Sequence, residues 1–487
     1  MTVSLRDAVA GWQRLDRRML LVHPVKEVGR YLVPLVLLVV FGRSSSSGGL
    51  WAMLALGIPV VLGLMRYVTT SYRLSPDRIE LRYGLLNKRV LSSPLDRVRT
   101  VDLTASPIHR ALGLVTLRIG TGSSSSKGED RLVLDGLSQA AAGNLRSVLL
   151  HVSSSADPDA PPEAPAHVVL RLDPSWVRFA PLTTSGLVVA GAAFGFLLQA
   201  MHTLELSPDV NTDAVARTSV VVLGAAGVVG LLVVLCALAV AGYVVTNFGF
   251  VLSHTRSDGS WHLRRGLFTT RETSLDDARV SGVTIGEPFG LRLAHGARLS
   301  AIVTGLGKKQ AGSSLLVPPA PRAEVDRVAV DVLGLSAPVH GPLRPHGPRA
   351  VRRRWTRALV PAIALAAAAE LLTVEVSGWF TFVAPVTLVL GVALALDRAR
   401  GLGHNLVDGH LVARSGSLDR RREALAIGSV IGWNLRASWF QRRAGLTDLT
   451  ATTAGGRQRV RLLDVPQDDA VALAHAAQPG LLEQFLG

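Results

Sequence analysis

RYGLLNKR, residues 82–89, returns in altered form as RRGLFTTR at 264–271 and as RSGSLDRR at 414–421. All three read Arg-x-Gly-x-apolar-x-x-Arg. Just upstream, Ile79, Leu81 and Tyr83 alternate with polar residues, the period of a half-buried strand. A glycine then stands where a hairpin must turn, a place that favours a residue able to adopt positive φ. The phrase predicts a hairpin with arginines on the two strands beside the turn. Gly84, Gly266 and Gly416 are the expected turn residues, and their recurrence predicts three copies of one module.

A second landmark keeps step with the first. An arginine follows each motif glycine at a constant 26 residues: Gly84 to Arg110, Gly266 to Arg292, Gly416 to Arg442. Around it, SPIHRALGL (106–114) and SWFQRRAGL (438–446) share Ser-x-x-x-Arg-x-x-Gly-Leu. The middle copy, PFGLRLAHG (288–296), lacks the serine and places its glycine one residue late. Each segment also closes in the same way, an apolar strand-like run and then a helical pattern. RLVLDG precedes LSQAAAGNLRSVLLHV, with Leu137, Ala141, Leu145 and Val148 at helical spacing. SLLVPP precedes RAEVDRVAVDVLG, and VRLLDVPQDD precedes AVALAHAAQ, with acids where the helix dipole favours them.

Between these segments the chain is apolar. Of its 487 residues 48% are hydrophobic and 18% charged, with mean hydropathy +0.33. That charge content lies below the ~25% of ordinary soluble domains. The apolar residues fall in blocks near 31–42, 50–68, 180–200, 218–241, 358–374 and 378–395. Most reach the roughly 17–25 residues that cross a bilayer, and 218–241 is apolar on every side. The polar N-terminal stretch and the lack of an A-x-A-like site argue against a cleaved signal. The single cysteine, Cys236, excludes an intramolecular disulfide and a cysteine-based metal site.

The net charge is +16, and the basic residues gather beside the apolar blocks. RPHGPRAVRRRWTR (344–357) holds six arginines and no acid, and residues 1–30 carry Arg6, Arg14, Arg17, Arg18, Lys26 and Arg30. The connection 201–214 has Glu205, Asp209 and Asp213 but no Lys or Arg. The positive-inside rule then puts the N-terminus and the long segments in the cytoplasm. It also accounts for the charge without a nucleic-acid partner. The expected organisation is a cytoplasmic N-terminal segment (1–30), a transmembrane hairpin (31–70), a first soluble domain (71–152) and a linker (153–175). A second hairpin (176–242) and domain (243–335), a basic linker (336–356), and a third hairpin (357–396) and domain (397–487) follow.

Tyr72 and Leu74, Gly84, PLDRV at 94–98, SPIHRALGL and the His23-Pro24 pair together resemble the bacterial pleckstrin-homology-like membrane proteins of the YdbT type. The likeness is good in the first segment and fair in the third, where EALAIGSV (423–430) replaces PLDRV. It is loose in the second, with SLDDARV at 274–280. The resemblance implies two packed antiparallel sheets closed by a C-terminal helix. It also implies a multi-pass protein of the bacterial plasma membrane with no catalysis of its own. The expected fold class is therefore membrane α plus α+β: about six transmembrane helices in three hairpins, each followed by a pleckstrin-homology-like (PH-like) β-sandwich or barrel with a C-terminal helix.

No catalytic, cofactor or metal constellation stands out. H-E-x-x-H and G-x-S-x-G are absent, and GLGKKQAG (305–312) lacks the order of a phosphate-binding loop. Within the blocks Glu370 is the main ionisable residue, whereas ion-coupled transport usually needs several at the midplane. The leading expectation is a non-enzymatic membrane-surface scaffold that binds anionic lipid, another membrane protein or itself. A six-span transporter or export component with regulatory domains is the alternative. The candidate basic edge comprises Arg82, Arg89, Arg110, Arg264, Arg271, Arg292, Arg414, Arg421 and Arg442. Two readings of it stay open: the solvated face of a repeated hairpin, or a surface for lipid or partner.

Overall fold

The computed structural model describes residues 11–20, 67–84, 89–95, 100–120, 132–151, 167–183, 214–256, 259–304, 314–375 and 381–479, with 22, 61, 65 and 98 singly. One order of elements occurs three times. The first pass is β1 (Gln13–Arg14), β2 (Ser71–Leu74), β3 (Arg78–Tyr83), β4 (Arg89–Pro94), β5 (Thr100–Ala105), α1 (Pro107–Ala111), β6 (Leu114–Gly120), β7 (Leu132–Ser138) and α2 (Gln139–His151). After β8 (His167–Arg171), a 3-10 turn (Pro174–Phe179) and the long α3 (Ala214–Asn247), the order returns. It runs β9 (Val251–Thr255), β10 (Ser260–Arg265), β11 (Thr270–Asp276), β12 (Val280–Pro288), α4 (Phe289–Leu293), β13 (Gly296–Val303), β14 (Leu315–Pro321) and α5 (Arg322–Leu333). The third pass starts with α6 (Ala337–His340), α7 (Gly347–Glu375) and α8 (Val383–Arg400). It continues through β15 (Gly403–Val407), β16 (His410–Ser415), β17 (Asp419–Ala426), β18 (Val430–Arg436), α9 (Trp439–Arg443), β19 (Leu446–Thr453), β20 (Arg459–Pro466) and α10 (Gln467–Ala477).

The strands form four antiparallel sheets, ordered β1-β2-β3-β4, β7-β6-β5-β11-β10-β9-β8, β14-β13-β12-β17-β16-β15 and β18-β19-β20. The two larger sheets are shared between segments. β5 of the first pass pairs with β11 of the second, and β12 of the second pairs with β17 of the third. The chain accordingly gathers into two compact units. One holds the described residues up to Arg171 together with Gly249–Arg279, and the other holds Leu172–Phe248 and the chain from Val280. The strands of the second pass are divided between them, β9–β11 in the first unit and β12–β14 in the second.

Each unit has a core of the same build. In the first, Ile79 and Leu81 of β3 meet Val101, Leu117 and Leu134 of β5–β7, with Leu145 and Leu149 of α2 closing the end. In the second, Leu411, Ala413 and Leu425 of β16–β17 meet Leu449, Val460 and Leu462, closed by Ala470 and Ala474 of α10. Alternating strand residues supply one apolar face per sheet, and two such faces with a helix exclude water.

This architecture corrects the expected fold class. The described chain is built on four antiparallel sheets, and among its residues two helices are long and apolar enough to cross a membrane: Val229–Asn247 within α3 and Gly347–Leu372 within α7. That is not six helices in three hairpins. Composition alone scores a buried run and a bilayer span alike. At the start of the expected second hairpin, Trp176 and Phe179 sit in the 3-10 turn and are buried, Phe179 against Gly296. The 378–395 block lies largely in α8, an 18-residue helix that ends on Asp397, Arg398 and Arg400. It packs on α7, where a Cβ on Gly391 would come within 2.6 Å of the Ala362 Cβ. The block at 31–42 and most of those at 50–68 and 180–200 lie outside the described residues.

Candidate functional site

The three turn glycines have φ of 104° (Gly84), 112° (Gly266) and 102° (Gly416). These angles are costly for any residue with a Cβ. At Gly266 a Cβ would overlap the Thr269 carbonyl, and at Gly416 the Asp419 carbonyl. The glycines thus let each hairpin fold back on itself.

The arginine that follows at constant spacing has a specific task in two of the three copies. Arg110 of α1 donates from Nη1 to the carbonyl of Leu267 at 2.7 Å. Arg292 of α4 donates from Nη1 to the carbonyl of Ser417 at 3.4 Å. Leu267 and Ser417 each directly follow a motif glycine, but in the next segment along the chain. The strand pairings beside these contacts also match. Arg271 faces Thr104 in the first junction and Arg421 faces Gly286 in the second. In both, the residue five after the glycine faces the residue six before the arginine. At the second junction the Phe289 N–H also donates to the Leu418 carbonyl at 2.6 Å. The spacing in the sequence therefore measures a junction: the short helix of one segment holds the turn of the next.

The remaining candidates have individual settings. Arg82 lies on β3, half-buried, with its guanidinium 5.9 Å from the Trp12 ring. Arg89 begins β4 and is exposed. Arg264 is exposed on β10 and 3.5 Å from Glu272, and Arg271 is exposed on β11. Arg414 donates to the Arg400 carbonyl at 3.0 Å, and burial lowers its pKa. Arg421 pairs with Asp419 on its own strand. Arg442 is exposed on α9, and among the described residues its guanidinium makes no hydrogen bond or ion pair. Arg82, Arg89, Arg110, Arg264 and Arg271 belong to the first unit, and Arg292, Arg414, Arg421 and Arg442 to the second. Arg110 and Arg264 share a pocket of about 220 Å³ at the first junction, lined also by Gln139, Thr270 and Glu272.

Three residues not singled out in the sequence organise the second unit. Asp397, near the end of α8, accepts from Arg292 (2.7 Å), Arg420 (2.7 Å) and the Ser417 hydroxyl (2.8 Å). An acid there opposes the helix dipole, so it calls for cations, and that was the available signal. Asp464 is fully buried; it accepts from Arg353 (2.9 Å) and forms an ion pair with Arg354 (2.6 Å), tying the start of α7 to β20. Glu423 of β17 lies against the strand bearing Thr284. Burial pushes its pKa up to about 7, against the opposing pull of Arg421. Beside α7, the rings of His346 and His404 meet edge to face at 4.8 Å. Burial first, then His346 and Arg344, lowers His404 to about 4. In the first unit, buried Arg279 reaches the Val98 carbonyl.

With two sheets closed by a helix in the first and third passes, the comparison with known families is direct. The family model described as the bacterial PH domain matches residues 29–152 and 358–478, about half of the chain. The chain belongs to the bacterial PH domain family. Both matched stretches take in apolar sequence ahead of the sheets: 29–152 spans the first two blocks, and 358–478 contains most of α7 and all of α8. No curated protein and no solved structure matches. Among the described residues no group of three or more His, Cys, Asp or Glu is placed to hold a metal ion.

Proposed function

We propose that this bacterial PH domain protein is a non-enzymatic scaffold anchored in the bacterial plasma membrane, with its sheets in the cytoplasm. The middle segment is then a divergent third copy of the PH-like domain, as in the YdbT type. The observation that carries the reading is the surface of α7. Its first turns expose Arg349, Arg352 and Arg357, and the turns that follow expose Val360, Ile363, Leu365 and Leu371. A basic collar passing directly into an apolar rod is the form of a juxtamembrane anchor. Arg353 and Arg354 hold that helix to the domain through Asp464, so the collar sits at a fixed position on the protein.

Each basic residue near an anionic leaflet contributes about 1 kcal/mol. The test is lipid analysis of the protein extracted in mild detergent from a bacterial membrane. The triple variant Arg349→Ala/Arg352→Ala/Arg357→Ala is expected to retain at least about tenfold less anionic phospholipid than the parent, with neutral lipid unchanged. Equal anionic lipid in the two would overturn the headgroup role. Recovery of the parent in the soluble fraction, without detergent, would overturn the anchor.

A further inference from the structure

The two junctions inside the chain leave a third position open. In the shared sheets, β5 and β12 are each covered by a strand of the following segment, β11 and β17. Their counterpart in the last segment, β18, is the edge of its sheet, and the only strand it pairs with among the described residues is β19. At the other end of the chain β4, the counterpart of β11 and β17, is an edge as well among the described residues. We propose that β18 of one copy pairs antiparallel with β4 of a second copy, so that the junction built twice within the chain is built a third time between chains.

Side-chain exposure supports an edge awaiting cover. Ile285 of β12 is 1% exposed at the second junction, while its counterpart on β18, Leu435, is 41% exposed. Ile431, at the start of the same strand, is also exposed. Transferring the register common to both junctions places Leu435 opposite Val90, itself 54% exposed on β4. Two exposed apolar residues thus become a directly facing cross-strand pair. Arg442 holds the place that Arg110 and Arg292 occupy in the internal junctions, and it is the member of the set without an internal carbonyl. Sequence spacing keeps all three copies in step, although only two have an internal use.

An open edge with matched side chains is a template for strand addition. Because β18 and β4 are different surfaces, the contact is heterologous, running head to tail from copy to copy. Arg436 falls opposite Arg89 in this register, so like charges weaken the contact and added salt strengthens it. A single strand pair is a small interface, and cross-linking reads it better than sedimentation does. The inference holds whether or not the α7 collar binds lipid.

The test uses full-length protein in neutral-lipid nanodiscs, with Cys236→Ser as background. Leu435→Cys and Val90→Cys are made in separate chains, each at an exposed position. Mixed under mild oxidation, the two are expected to give a disulfide-linked dimer. Its yield should exceed that of Leu435→Cys mixed with Ser92→Cys by about tenfold, since disulfide geometry demands close facing Cβ atoms. Neither variant alone should cross-link to itself. Absence of the mixed dimer, equal yield from the shifted partner, or a dimer of Leu435→Cys alone would each overturn the pairing.

Discussion

At the scale of the residue, the arginine at constant spacing is one sequence feature with two fates. Arg110 and Arg292 each donate to a carbonyl in the following segment, and Arg292 also pairs with Asp397. Hydrogen bonds from charged donors contribute more than neutral ones. Arg110→Ala and Arg292→Ala are each expected to cost about 1–2 kcal/mol, read as a lower denaturant midpoint in detergent. Arg442→Ala, measured in the same way on dilute monomer, should change stability by less than about 0.5 kcal/mol.

Glu423 and His404 set opposite pH dependences at this scale. Burial raises the Glu423 carboxyl from 4.5 to about 7, so folding is favoured below the unfolded value. That contribution is lost as pH rises through the folded one. Glu423→Gln should therefore gain about 2 kcal/mol at pH 8 and little at pH 4.5. His404 is lowered from 6.5 to about 4, so its contribution is present above the higher value and is lost as pH falls between the two. His404→Phe should remove that acid loss. Melting curves of the two variants across pH 4–8 separate the effects, and identical profiles in variant and parent would contradict them.

At the scale of the element, the glycines of the hairpin turns were legible. Alternation ending on a glycine flanked by arginines specifies two strands and a tight return, and positive φ at all three glycines agrees with that chemistry. Gly266→Ala and Gly416→Ala each place a Cβ on a backbone carbonyl. Each should cost about 2 kcal/mol or more, seen as a lower melting temperature. The helices were less legible. α7 has Pro361 in its interior and a basic first half, and α8 is short and ends in charge. Their apolar character serves mutual packing at Gly391 as well as any bilayer. The buried turn at Trp176 and Phe179 shows the same ambiguity, because apolar composition does not reveal what covers a segment.

At the scale of the molecule, the segments share sheets. β5 and β12 are therefore interior strands, although each lies at the edge of its own segment's sheet. Hydrogen–deuterium exchange checks this directly. The amides of Thr100–Ala105 and Val280–Pro288 that point to β11 and β17 should exchange slowly, in step with global unfolding. The outward amides of Val430–Arg436 should exchange fast in dilute monomer. Equal protection of all three strands in the monomer would refute the shared-sheet arrangement.

The sequence by itself determined the local chemistry: where strands alternate, where glycine must turn them, where terminal helices follow, and that one order of strands and helices recurs. Those features depend on neighbours within a few residues, so they are written in period and spacing. The nine arginines were equally visible as residues, but their roles were not. Whether Arg110 faces solvent or the Leu267 carbonyl depends on a residue 157 positions away. Only the tertiary structure decided that the second segment divides its strands between two sheets, and that the constant 26-residue interval spans a junction. Strand pairing between segments is a choice among many edges with similar local patterns. It is made by which apolar faces bury together, a quantity no single stretch of sequence contains.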